Sequence, residues 1–266
     1  MSDAPVLVRS GSPVWRITLD RPEARNAVSS SMLEAIQKGL EGAAADPDCR
    51  AVVLDGAGPD FCAGADVGEL LASREGAGPA KYGSLFETVL AAIGDQPQPV
   101  IAAVHGAALG AGCQLAVACD LAVAAEDCTI GIPSARLGIL INYENVERLT
   151  LAVGPKRAGE ILLAARTLTG AEAAAWGLVN GAVPLAELAA AVDDLAARVA
   201  SLAPLSVTGS KRGIRSVLRH LSVDRTAEPG QVMDFDVLAA DAFASEDLAE
   251  GIAAFRERRP PSFRGR

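Results

Sequence analysis

Two stretches of the chain concentrate glycine and alanine where a backbone could come close to a ligand. Gly56 to Gly64 is a glycine-containing loop, and Ala65-Asp66-Val67-Gly68 leads from it into a helix expected from Val67. His105 to Gly112 is glycine-rich and runs into a second expected helix at Cys113 to Ala118. A helix N-terminus carries free N–H groups and a positive dipole end, so small residues ahead of one suit an oxygen that gains negative charge. Close strand–helix packing would use the same glycines, and both readings stand at this level. Acid–base candidates are few. Glu144 and Glu147 fall on the expected first turn of a helix, where the dipole favours an acid. That structural role fits Glu147, while Glu144 is the candidate pocket residue. His105, at a strand end beside the glycine loop, reads as a loop-stabilising hydrogen-bond partner rather than a catalyst, and His220 as a surface residue of a late helix. Cys62 and Cys113 read as small buried hydrophobes.

The elements that must hold these residues follow from the hydropathy pattern. Val6-Leu7-Val8 and Val14 to Leu19 read as two strands joined by a Gly-Ser-Pro turn. Ser29 to Leu40 has helical spacing, with Met32, Leu33, Ile36 and Leu40 on one face. Ala51 to Asp55, Val100 to Val104 and Leu121 to Ala125 are short apolar runs of the kind buried on both faces of a parallel sheet. Lys81 to Ile93 reads as a helix, and the Gly/Pro-rich segment Arg74 to Pro79 as a mobile link. The alternation predicts an α/β layer architecture with crossovers. Past Gly154 the pattern predicts helices only, over Lys156–Ala165, Ala171–Trp176, Leu185–Leu202, Ser206–Leu221 and Glu228–Phe243, with a short extended link at Leu178-Val179 and Ala182-Val183. The tail from Arg256 to Arg266 is basic and expected to fray.

Composition narrows the function classes. With 266 residues the chain suits one large α/β domain, or one with a helical appendage. A formal net charge of -9 disfavours nucleic acid as a partner, though a local basic patch could hold a small anionic ligand. The five cysteines are scattered without a CxxC pair, so neither a disulfide framework nor a metal site is expected, and a reducing cytoplasm fits. No basic head precedes an apolar run at the N-terminus, and the longest apolar stretch is interrupted by His105 and glycines, so neither a signal peptide nor a membrane span is expected.

Four local patterns, in order, cover nearly the whole chain: Asn26-Ala27 after Arg21-Pro22; Asp60-Phe61-Cys62-Ala63-Gly64-Ala65-Asp66; Pro99 to Ala116 followed by Cys119-Asp120; and Arg148-Leu149 through Val153-Gly154 to Leu168-Thr169-Gly170-Ala171-Glu172 and Trp176-Gly177-Leu178-Val179-Asn180. Together they resemble the crotonase (enoyl-CoA hydratase/isomerase) superfamily. The resemblance implies a ββα spiral core over residues 1–200 and a C-terminal helical region over 201–266 that builds homotrimers or dimers of trimers. It implies an acyl-CoA thioester as ligand, coenzyme A entering only as part of the substrate with no other cofactor, and lyase or isomerase chemistry of fatty-acid metabolism.

By resemblance the N–H groups of Ala65 and Ala111 form an oxyanion hole for the thioester carbonyl. Ala111 stands where many relatives have glycine, and its methyl is tolerated if φ is negative. Ala63, Asp66, Val67, Gly68 and Gly110 would line the ligand, although Asp66 equally suits a helix start. Phe255 and Arg258 match positions that contact the coenzyme A of a neighbouring subunit in relatives, with a solvated basic tail as the plain alternative. Gln114 and Ser134 occupy the two positions where the family's hydratases carry glutamates, and Asn142 falls near a third position that is acidic in some isomerases. An amide does not titrate, and an unactivated hydroxyl is no base near neutral pH. The stretch Ile141 to Glu147 is bulkier than the Pro-Gly-rich stretch of relatives. Two readings follow: a protein that binds acyl-CoA without hydrating it, or an active hydratase or isomerase with Glu144 or an ordered water as base.

Overall fold

The computed structural model describes residues 5–72, 79–222 and 243–264. The segment from Arg74 to Gly78, the side chain of His220, all but the end of the helix expected over Glu228–Phe243, and the last two residues lie outside the described residues.

β1 (Val6–Arg9) and β2 (Val14–Leu19) pair antiparallel. α1 (Ser30–Ala45) crosses back to β3 (Ala51–Gly56), which lies parallel to β2. The Ser29 hydroxyl accepts the Met32 N–H at 3.3 Å and caps α1, and Met32, Leu33, Ile36 and Leu40 are buried as their spacing predicts. α2 (Val67–Ala72) and α3 (Pro79–Asp95) lead to β4 (Val100–Val104), then β5 (Ala107–Leu109), α4 (Ala111–Ala118), β6 (Leu121–Ala125) and β7 (Thr129–Gly131).

A short turn of 3-10 helix, Ser134–Leu137, precedes α5 (Tyr143–Val153) and α6 (Pro155–Leu162). The remaining elements are β8 (Thr167–Thr169), α7 (Gly170–Trp176), β9 (Gly181–Val183), α8 (Leu185–Ala200), α9 (Pro204–Ser222) and α10 (Glu246–Glu257). One sheet has the order β1-β2-β3-β4-β6-β9 and is parallel after β2; the other has the order β5-β7-β8. The expectation past Gly154 is corrected at β8, which pairs antiparallel with β7, while β9, parallel with β6, falls on the extended link expected at Ala182-Val183. Strands of three residues are too short for an alternating pattern to register. What defines them is pairing with distant residues.

α10 packs on its own chain, against the Ser134–Leu137 turn. A Cβ on Gly251 would press on the Leu137 carbonyl, and one on Gly138 would crowd Asp247 and Leu248. No helix of the described residues is long and apolar enough to cross a membrane.

Candidate functional site

The two glycine-rich stretches lie side by side. The N–H of Phe61 donates to His105 O at 2.8 Å, that of Cys62 to Ala107 O at 2.8 Å, and that of Leu109 to Cys62 O at 3.0 Å. On the other flank Val28 N–H reaches Gly64 O at 2.8 Å, and Asp66 N–H reaches Val28 O at 2.8 Å. Phe61 has no solvent exposure, which anchors this loop with roughly 1.5–3 kcal/mol of apolar burial. A Cβ built on Gly110 would lie 3.9 Å from the Cα of Gly64, so the residues just ahead of Ala65 and Ala111 are in near contact. Gly112 must be glycine here: a Cβ would collide with the Cys62 carbonyl.

Ala111 opens α4, whose N-cap Gly110 supplies no side-chain acceptor. Among the described residues, neither the Ala111 N–H nor the Ala65 N–H donates a hydrogen bond. Both are free for a ligand, and that of Ala111 stands at a helix start whose dipole favours negative charge. Among the described residues the non-glycine residues with positive φ are Arg25, Asn26, Ala165 and Arg258, so Ala111 meets its condition of negative φ.

Gln114 is the fourth residue of α4 and only 9% exposed, and among the described residues its amide side chain has no hydrogen-bond partner. Its amide atoms are not among the buried polar atoms left without a partner, so they keep access to solvent and can meet water or a ligand. Ser134 is half-buried at the start of its turn, with its carbonyl accepting from Ile139 N–H at 3.1 Å. Asn142 caps α5, its side chain accepting from Asn145 N–H at 3.2 Å. Glu144 is exposed on the first turn of that helix, and Glu147 is half-buried.

The ligand-lining candidates divide. Ala63 is tied to Arg25 O at 3.0 Å, and Val67 is half-buried and Gly68 exposed at the start of α2. Asp66 accepts from Gly68 N–H at 2.9 Å and from the Arg21 guanidinium at 3.2 Å, which is a helix-start role. Phe255 and Arg258 are exposed at the end of α10. His105 has its Nε2 3.1 Å from Gly58 O, a contact within the same loop cluster. Burial pushes the thiols of Cys62 and Cys113 up to about 12, which removes both as nucleophiles.

One acid was missed. Glu87 of α3 is half-buried, and its carboxylate accepts from the Asn145 amide at 2.8 Å, while Asn145 accepts from Arg148 at 2.6 Å. Burial holds its carboxyl above the usual range, against the opposing pull of Asn145, Asn142 and Arg148. The available signal was a lone charge next to the apolar run of Leu85, Phe86, Val89 and Leu90. A raised folded-state value means that the native chain keeps this proton longer than the unfolded one. Stability from this group is thus lost as pH rises through the folded value. In Glu87→Gln that loss vanishes, so the variant gains on the parent as pH rises above the ordinary glutamate range in urea unfolding. A difference that stays constant over that rise would contradict the assignment.

Among the described residues no group of three His, Cys, Asp or Glu side chains could hold a metal ion. Comparison with known proteins places the whole chain in one context. The family model described as Enoyl-CoA hydratase/isomerase matches residues 9–266. A probable enoyl-CoA hydratase of Bacillus subtilis (strain 168) is 34% identical over 251 residues, 94% of each chain. A carnitinyl-CoA dehydratase of Salmonella enteritidis PT4 is 35% identical over 270 residues, the full length of both. The solved structure of a methylmalonyl-CoA decarboxylase in complex with 2-nitronate-propionyl-CoA superposes with a TM-score of 0.89 at 25% identity, covering 98% of both chains.

Proposed function

Because this chain belongs to the enoyl-CoA hydratase/isomerase family, we propose that it binds an acyl-CoA thioester, holds the thioester oxygen between the N–H groups of Ala65 and Ala111, and does not hydrate an enoyl chain. The observation that carries this reading is the pair of unpartnered amides on adjoining loops, with the neutral Gln114 on the helix that one of them opens. Two such donors polarise the carbonyl and stabilise an enolate; one donor is worth about 10²–10³ in rate where chemistry follows. Hydration also needs a group that takes a proton from water. Gln114 and Ser134 can each hydrogen-bond a water but accept no proton from it. Glu144, the alternative base, is exposed, which favours binding over turnover. Exposed apolar side chains on α9, Leu205, Ile214 and Val217, support a homo-oligomer, which the resemblance makes a trimer or a pair of trimers. The scattered free cysteines and the acidic balance support a cytoplasmic protein.

A second reading rests on the likeness to the methylmalonyl-CoA decarboxylase structure. Loss of CO2 from a malonyl-type thioester leaves the bonding electrons on the α-carbon, so an enolate forms with no base at all. Water then returns a proton to that carbon. Paired amide donors and neutral side chains over the acyl group suffice for this reaction.

The test pairs two assays on the same preparation. Calorimetry with a saturated acyl-CoA gives a dissociation constant, and loss of the conjugated thioester absorbance follows any hydration. Binding with no loss of absorbance is expected, in the parent and in Glu144→Gln alike. Hydration by the parent would overturn the main reading, and CO2 release from a malonyl-type thioester would select the second.

A further inference from the structure

The carboxylate of Asp60, on the loop that leads to Ala65, reaches across to β5, the strand that leads to Ala111. Asp60 is 6% exposed. Its Oδ1 accepts from Ala107 N–H at 2.7 Å, at the start of β5, the strand that ends at Leu109 just before Gly110 and Ala111. The same carboxylate takes both arms of the Arg25 guanidinium, Nε to Oδ2 at 2.7 Å and Nη2 to Oδ1 at 3.0 Å. Arg25 in turn accepts the Ala63 N–H at its carbonyl, two residues before Ala65. Gly106 makes this approach possible: its φ is 53°, and a Cβ there would collide with Pro59 O and lie 2.8 Å from Asp60 Oδ1.

The cost of the arrangement argues for a purpose beyond a surface ion pair. Arg25 and Asn26 are successive non-glycine residues in the left-handed region, at φ 52° and 53°. Such strain persists where surrounding contacts dictate it and collects at functional sites. The side chains of both residues bond to residue 60: Asn26 Nδ2 donates to the Asp60 carbonyl at 2.7 Å and to Ala57 O at 2.8 Å. The Arg25 side chain is itself 59% exposed, where an ion pair adds little stability. A bidentate fork does fix direction.

We propose that Asp60 and Arg25 are positioning residues that set the spacing between the Ala65 and Ala111 N–H groups. This rests on the reading of those amides as the thioester-oxygen site. Arg25 holds one loop by its carbonyl and, through its fork, the carboxylate that holds the other. Loosening the fork lets the donors drift apart while the rest of the ligand site stays intact.

The experiment measures two quantities in the full-length protein. One is the infrared shift of a carbon-13-labelled thioester carbonyl on binding. The other is the affinity for an acyl-CoA divided by that for its thioether analogue, which lacks the carbonyl oxygen. The parent is expected to shift the carbonyl to lower frequency and to prefer the thioester. Asp60→Asn, and Arg25→Met at the more exposed end of the pair, should lose most of the shift and about tenfold or more of the preference, with thioether affinity unchanged. Arg25→Lys keeps the charge without the fork and should recover only part. If Asp60→Asn does not fold, Arg25→Met carries the test. Shift and preference that survive Arg25→Met, or both affinities falling together, would overturn the clamp alone. A parent that leaves the carbonyl unshifted would overturn the thioester-oxygen reading and the clamp with it.

Discussion

Converting Gln114 and Ser134 together to glutamate is expected to raise hydration of a short enoyl-CoA by about 10²–10⁴ over the parent, the usual worth of positioned acid–base groups. Gln114→Glu changes one amide nitrogen to oxygen on a helix already held by its packing, so the new carboxylate starts where the unpartnered amide now lies. Burial would push that carboxyl up toward neutral pH, which suits proton exchange with water. Ser134 heads a short turn and has room to extend because it is half-buried rather than enclosed. Each single variant supplies one end of the proton traffic and should gain much less than the pair. The absorbance assay reads all three. A double variant that folds, binds acyl-CoA and stays as inactive as the parent would show that more than the missing carboxylates blocks hydration. The bulk of Ile141 to Glu147 would be the next suspect.

Lys211→Met should cost about 1.5–3 kcal/mol of stability, the worth of a hydrogen bond to a charged group, because it takes a buried ammonium away from a partly exposed carboxylate. Lys211 is 7% exposed on α9. Its Nζ donates to Asp120 Oδ2 at 2.6 Å, to Gln98 O at 3.0 Å and to Ile93 O at 3.2 Å. Asp120 also accepts the Val100 N–H at 2.7 Å, so the pair fastens α9 to the start of β4 and the end of α3. Burial raises the Asp120 carboxyl and lowers the Lys211 ammonium, and each charge offsets the cost of the other. With the lysine gone, Asp120 keeps its proton to higher pH in the folded chain. The deficit is therefore smallest in acid and grows as pH rises through the folded value. Urea unfolding at two pH values checks this, and Lys211→Met with Asp120→Asn should recover part of the loss. A single variant as stable as the parent would mean that the ion pair is structurally idle.

Legibility of the molecule in its sequence tracked the range of the interactions concerned. The buried face of α1 and the continuous apolar runs of β3, β4 and β6 follow from local spacing, and the structure bears them out. The pairing of Cys62 with Ala108 does not, since nothing near either residue specifies the other. Glycine density marked both loops of the candidate site, but the hydrogen bonds that register them run between residues more than forty positions apart and leave no periodic trace. Glu87 escaped notice for a related reason: an acid on an amphipathic helix reads as solvent-facing until the helix carrying Asn145 covers it. His105 bonds to a loop carbonyl, as its place at a strand end predicts.

In the larger sheet, the order of neighbours matches the order in which the strands leave the ribosome, from β1 through β2, β3, β4 and β6 to β9. Every new strand therefore finds its template already made, and no gap has to be kept open for a later arrival. The final edge is laid down by β9, shortly before α9 brings Lys211 to Asp120 and fastens the finished stack. Chains ending before residue 211 and released should carry a formed but unlatched sheet, nicked by protease more readily than the full-length protein.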